Sequence, residues 1–117
     1  MKLSDFFDRE EFACKCGCGL ATVDSQLLQV LEGIRSHYRR PVVITSGHRC
    51  KKHNSEVGGG KNSYHLQGRA ADIKVVGVES AEVYEYVCDT HRDKYGFILY
   101  DTFVHVDSRD VPYRNAS

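Results

Sequence analysis

Residues 47–63, GHRCKKHNSEVGGGKNS, carry no hydrophobic period. In compact domains, stretches beyond about 12–15 residues without structure of their own are usually functional or disordered. The chain has only 117 residues, which suits one domain and leaves no material for a second. The fold must therefore be assembled from the periodic segments on either side of this stretch. Upstream, residues 2–13 suggest a short helix with Ser4 as cap. Leu27, Leu28, Val30, Leu31, Ile34 and Tyr38 form a helical stripe that Asp24 or Ser25 opens and Pro41 closes. PVVITSG follows as a β-branched run bounded by Pro and Gly, which reads as a buried strand. Downstream, residues 70–76 read as a strand. Residues 80–92 read as a helix capped by Ser80, with Ala81, Val83, Tyr84, Val87 and Cys88 inward. FILY and TFVHVDSR read as strands joined by a tight turn near Asp101, and VPYRNAS as a tail. The order predicts a single compact α+β domain over residues 1–117, with a small, mostly antiparallel sheet and flanking helices.

Composition narrows the partners. Lys plus Arg and Asp plus Glu are both 16, a formal net charge of zero, so no basic excess supports nucleic-acid binding. Arg35, Arg39 and Arg40 are the candidates for a local basic patch. No apolar run approaches the roughly 18 residues that would span a bilayer. MKLSDFFDREEF lacks the apolar core of a secretory signal. The expectation is a monomer made in the cytoplasm without a signal peptide or membrane partner. Of five cysteines, Cys14, Cys16 and Cys18 crowd into CKCGC, with Cys50 and Cys88 elsewhere. An odd count without a signal does not read as a disulfide framework. Two C-x-C steps suit a thiolate clip on a soft metal, but the second pair of a usual zinc knuckle is missing. Reduced, half-buried thiols closing a Gly-rich turn are the alternative.

Three ligand-type residues stand in or beside the apolar runs: His65, Asp72 and His105. Singly, each has a plain explanation as a loop histidine, a turn cap and a half-buried strand histidine. Together, two imidazoles and one carboxylate suit zinc with a fourth position left for water. Gly68, Ala70 and Ala71 permit close backbone packing between the first two.

Ser63-Tyr64-His65-Leu66-Gln67-Gly68-Arg69-Ala70-Ala71-Asp72 has the pattern S-x-H-x-x-G-x-A-x-D, preceded by ITSGHR and followed by FVHVD. In these motifs, and along most of the chain from DFF through the His105 strand, the sequence resembles the M15 family of zinc D-Ala-D-Ala carboxypeptidases. The subgroup it resembles includes small phage endolysin peptidases. The resemblance implies a hedgehog/D-Ala-D-Ala-peptidase-like fold and Zn2+ held by His65, Asp72 and His105. It also implies that Arg49 grips the substrate carboxylate or carbonyl, as a planar guanidinium fork is able to do. Ser63, two residues before His65, would orient a ligand or the substrate. The implied substrate is a peptidoglycan peptide, and the implied setting is a phage-encoded enzyme acting on the bacterial cell wall.

One departure from the family matters. Many members carry a Glu three residues before the last histidine, or a His two before it; here those positions are Thr102 and Phe103. Hydrolysis needs a base for the proton of the attacking water. Asp107 shares a strand face with His105, roughly 6–7 Å along, and Asp101 shares it unless the turn re-aims it. Asp107 ranks ahead of Asp101, and it could equally orient an imidazole. His37 and His91 sit near helix ends, and His48 and His53 flank the polar stretch. The sequence predicts a zinc peptidase, either carboxypeptidase or endopeptidase. The alternatives are a catalytically silent zinc-binding relative and a structural module.

Overall fold

The computed structural model describes residues 1–116. Its sheet follows from period-two alternation, in which successive side chains take opposite faces. Strand β1 is Val42–Ser46, β2 Ala70–Val75, β3 Gly96–Leu99, β4 Val104–Asp107 and β5 Tyr113–Ala116. They are ordered β1-β2-β4-β3-β5. Val42, Ile44, Ala71, Ile73, Val75, Phe97, Val104 and Val106 fall on one face and are buried. Full burial of such a side chain contributes about 1.5–3 kcal/mol. The other face carries Asp72, His105, Ile98 and Asp107.

Two helices complete the core on the apolar face. Helix α1, Ser25–Tyr38, begins where the Asp24 carboxylate accepts the Gln26 and Leu27 N–H groups at 3.1 and 3.2 Å. It buries Leu27, Val30, Leu31 and Ile34 and ends at Arg39, which is left-handed (φ 54°) just before Pro41. Helix α3, Ser80–Thr90, contributes Val83 and Val87. Its cap position is Glu79 rather than Ser80, and Ala81 is exposed rather than inward.

The structure departs from the sequence expectations in three further places. The amino-terminal helix is one 3-10 turn, Arg9–Phe12, opened at Asp8 instead of Ser4; the Glu11 carboxylate accepts the Asp8 N–H at 2.7 Å. The polar stretch contains a short helix α2, Lys51–Glu56, whose cap is Cys50, with its Sγ accepting the His53 N–H at 3.4 Å. A sulfur cap is outside the usual Ser, Thr, Asp and Asn set, so the sequence carries little signal for it. The tail forms β5, parallel to β3, which makes the α+β sheet mixed: three antiparallel pairings and one parallel. β5 is an edge strand with little burial, so its pairing is a backbone matter that side-chain pattern does not encode. No described helix is long and apolar enough to cross a membrane.

Candidate metal centre

His65 lies in a 3-10 turn, Tyr64–Gln67, whose two ends are held locally. Ser63 Oγ accepts the His65 backbone N–H at 3.2 Å, and Gly68 stops the turn at φ 69°. A Cβ at Gly68 would also stand 2.5 Å from the Thr22 carbonyl oxygen, so the motif glycine is required twice over. Asp72 and His105 face each other as register partners on β2 and β4. A register shift between Ile44 and Ser46 on β1 brings Ser46 opposite Asp72. Such irregularities commonly re-aim side chains next to sites.

The three side chains converge. His65 Nε2 lies 3.3 Å, and His105 Nδ1 3.1 Å, from Asp72 Oδ1. A tetrahedral zinc shell with metal–ligand bonds near 2.0–2.1 Å has edges of about 3.3 Å. One candidate donor atom from each residue lies within 4.8 Å of the other two, and all three residues are buried. The opposite ring nitrogens are already committed. His65 Nδ1–H donates to the Gly47 carbonyl at 2.8 Å, and His105 Nε2–H donates to Asp107 Oδ2 at 2.8 Å. Each imidazole is thus fixed in the tautomer that turns a lone pair toward Asp72, the arrangement outer partners impose on metal-binding histidines. The donor set, its spacing and its tautomers fit a zinc ion. In the metal-free protein burial pushes the Asp72 carboxyl up, but His105 and His65, which donate to it once the facing ring nitrogen is protonated, outweigh burial and hold the group well below the usual carboxylate range. Burial works against a charged His105, but Asp107 and Asp72 prevail and raise its pKa.

Asp107 is fully buried behind His105. Arg109 grips it with Nε on Oδ1 at 2.8 Å, Nη2 on Oδ2 at 2.6 Å and its backbone N–H on Oδ1 at 3.1 Å. This is the orienting position that the sequence left as the alternative to a base. Gly96 makes room for it: a Cβ there would stand 2.4 Å from Asp107 Oδ2. Burial opposes the charge of Asp107, but Arg109 and His105 hold its pKa well below the usual range. Asp101 is exposed in the β3–β4 turn and borders a separate groove with Gly77, Val78 and Glu79.

The centre opens into a cleft of about 570 Å³. Tyr100 and Phe103 stack at 4.5 Å on one wall, and Arg49, Ser63, Tyr64 and Arg109 add polar groups. Asp72 is the one carboxylate among the described residues lining it. Arg49 is braced: Nε donates to Ser46 Oγ at 3.1 Å, Nη1 to Asn54 Oδ1 at 3.2 Å and Nη2 to Asp72 Oδ2 at 3.3 Å. Buried Asn54 in turn donates to the Gly60 carbonyl at 2.9 Å and so ties the Gly-rich segment to Arg49. His48 is structural: Nδ1 accepts the Thr22 N–H at 3.0 Å, and Nε2 meets the Leu66 carbonyl at 3.2 Å. Sequence reasoning missed Arg109 and Asn54. The one available signal was that Arg109 lies two residues beyond Asp107, close enough for a local brace.

A model of the family described as peptidase M15 matches residues 5–107. The chain belongs to the peptidase M15 family. The matched span contains His65, Asp72, His105, Arg49 and Asp107. Among characterised proteins, the chain is similar to the peptidoglycan L,D-endopeptidase MepK of Escherichia coli (strain K12) and to its namesakes in Escherichia coli O157:H7 and Shigella flexneri. Each is 29% identical over 75 residues, covering 60% of this chain and 41% of the relative. The chain thus spans about two-fifths of the length of the curated relatives it matches.

Proposed function

We propose that this M15 peptidase is zinc-dependent and hydrolyses a peptide bond in bacterial peptidoglycan. The observation that carries the zinc reading is the convergence of two tautomer-locked imidazoles on one buried carboxylate at the mouth of a cleft. The substrate reading is supported by the activity for which the MepK relatives are named and by the two arginines that line the cleft, which suit a carboxylate-bearing peptide. Action at the cell wall, in a phage setting, belongs to the same proposal.

In this reading His65, Asp72 and His105 hold the metal. Zinc, when bound, polarises the scissile carbonyl and makes water a better nucleophile near neutral pH. Arg49 presents its guanidinium to a substrate carboxylate or carbonyl, with Ser46 and Asn54 keeping it in place. Ser63 fixes the turn that carries His65. Asp107, held by Arg109, positions His105. Tyr100 and Phe103 offer an apolar shelf for the peptide.

A second reading is a metal-binding relative without turnover. It is favoured by one observation: Asp72 is the only carboxylate among the described residues lining the cleft, so no separate acidic base stands there. Incubation of zinc-loaded protein with purified muropeptides, read by mass spectrometry, separates the two. Hydrolysis is expected. Loss of one terminal alanine would mark a carboxypeptidase, and an internal cut would mark an endopeptidase. Intact muropeptides with zinc bound at His65, Asp72 and His105 would establish the silent reading.

A further inference from the structure

A second cluster of ligand atoms lies outside the cleft. Cys14, Cys16, Cys18 and Cys50 place their sulfurs within 4.8 Å of one another. The Cys14–Cys16 separation is 3.4 Å, Cys16–Cys50 3.6 Å and Cys14–Cys50 3.8 Å. A disulfide needs about 2.05 Å, so these are not bonded pairs. A tetrahedral ion with metal–sulfur bonds near 2.3 Å has edges of about 3.8 Å. The spacing therefore fits four thiolates around one soft divalent ion.

The surrounding backbone is shaped for the same purpose. Gly17 and Gly19 are left-handed, at φ 84° and 92°, and let C-K-C-G-C double back. The Gly17 N–H donates to the Cys14 carbonyl at 3.1 Å, and the Cys14 N–H to the Leu20 carbonyl at 2.7 Å. Two backbone N–H groups point at sulfur: Cys50 N–H at Cys14 Sγ and His53 N–H at Cys50 Sγ, each at 3.4 Å. Such donors stabilise thiolates that bind metal. Cys14 is buried and Cys50 half-buried, while Cys16 and Cys18 are exposed. The fourth ligand comes from a segment 36 residues away in sequence from Cys14.

We propose that Cys14, Cys16, Cys18 and Cys50 form a structural zinc site that fastens the amino-terminal loop to the segment carrying Arg49. The site stands apart from the cleft and does not depend on the peptidase reading. Its position gives it a consequence for the cleft. Cys50 follows Arg49 directly and caps α2, and α2 supplies the Asn54 that braces the Arg49 guanidinium. The His48 N–H donates to the Phe12 carbonyl at 2.8 Å, so the same two segments also meet through the backbone. Holding Cys50 to the CKCGC loop thus holds the base of Arg49.

The test uses the full chain, purified under reducing conditions, loaded with zinc and freed of loose metal. Two zinc ions per chain are expected. One should remain in a His65→Ala/His105→Ala double variant and one in a Cys16→Ser/Cys18→Ser double variant. Cobalt substitution should produce intense thiolate-to-metal charge-transfer bands, retained in the histidine variant and lost in the cysteine variant. Should the cysteine variant fail to fold, the unaltered chain decides alone. With metal bound, a thiol reagent should spare Cys14, Cys16, Cys18 and Cys50, and a chelator should open the exposed Cys16 and Cys18 to modification. One zinc per chain that only the histidine variant loses would overturn the proposal. So would a cobalt protein without charge-transfer bands, or Cys16 and Cys18 that react as fast in the loaded protein as in chelator.

Discussion

Replacing Asp107 by Asn separates a positioning carboxylate from a catalytic base. Asp107 accepts four hydrogen bonds, one from His105 Nε2–H and three from Arg109. An asparagine has one acceptor oxygen and one donor amide. If the oxygen faces His105, the amide meets the Arg109 guanidinium donor to donor. If the amide faces His105, it donates to Nε2, and the ring proton moves to Nδ1, the nitrogen that faces Asp72. Either arrangement spoils the metal-facing lone pair or its support. Losing such an outer partner typically weakens metal binding by about 10–100-fold, or about 1.4–2.7 kcal/mol. Fold stability should fall as well, because hydrogen bonds to a charged group contribute roughly 1.5–3 kcal/mol. The Arg109 side chain is 22% exposed, so water recovers part of that loss. The assay is zinc affinity by chelator competition, read beside turnover on muropeptides at limiting and excess zinc. Weaker zinc binding, with turnover partly restored by excess zinc, is expected. Unchanged zinc affinity with turnover down by about a hundredfold or more would refute the positioning role and make Asp107 the base.

Asp101→Asn should change neither zinc content nor turnover, because the residue is exposed in a separate groove; a large rate loss with zinc retained would give it the base role. Removing one of three proposed ligands through His105→Ala should abolish tight zinc binding at the cleft, as metal analysis with the cysteine thiols blocked would show. Arg49→Lys keeps the charge but loses the fork that meets Ser46, Asn54 and Asp72, so KM should rise by a larger factor than zinc affinity falls. Because Asp72 and Asp107 are held below the usual carboxylate range, their stabilisation of the metal-free protein is present above about pH 4 and lost as pH falls through their folded values. His105, whose pKa is raised, adds stability that is full below about pH 6.5 and lost as pH climbs through its folded value. Denaturation midpoints in chelator should therefore drop steeply in acid and decline gently above neutrality, and Asp107→Asn should flatten the acid limb.

The elements that bury apolar stripes were legible from local chemistry. Residues 24–38 carry a cap, a helical stripe and a terminating proline, and α1 forms there with Leu27, Val30, Leu31 and Ile34 inside. PVVITS, AADIKV and FVHVD were legible as strands and form β1, β2 and β4, with Asp72 and His105 on the face away from the core. Elements held by backbone pairing or unusual caps were not legible. The last four described residues join the sheet although little of them is buried, and α2 starts from a sulfur cap.

The sequence by itself determined the α+β class, the family motif and the three residues that converge as a candidate ligand set, because ligand chemistry and periodicity are properties of residue type and spacing. Which ring nitrogens of His65 and His105 face Asp72, that Asp107 is enclosed by His105 and Arg109 while Asp101 stays exposed, and what braces Arg49 were decided only by the tertiary structure. Those roles depend on partners distant in the chain. Gly47 sets the tautomer of His65, Arg109 locks Asp107 behind His105, and Asn54 steadies Arg49. A hydrogen bond between such residues requires positions good to a fraction of an ångström, and only the packed sheet and the segments laid across its open face supply that.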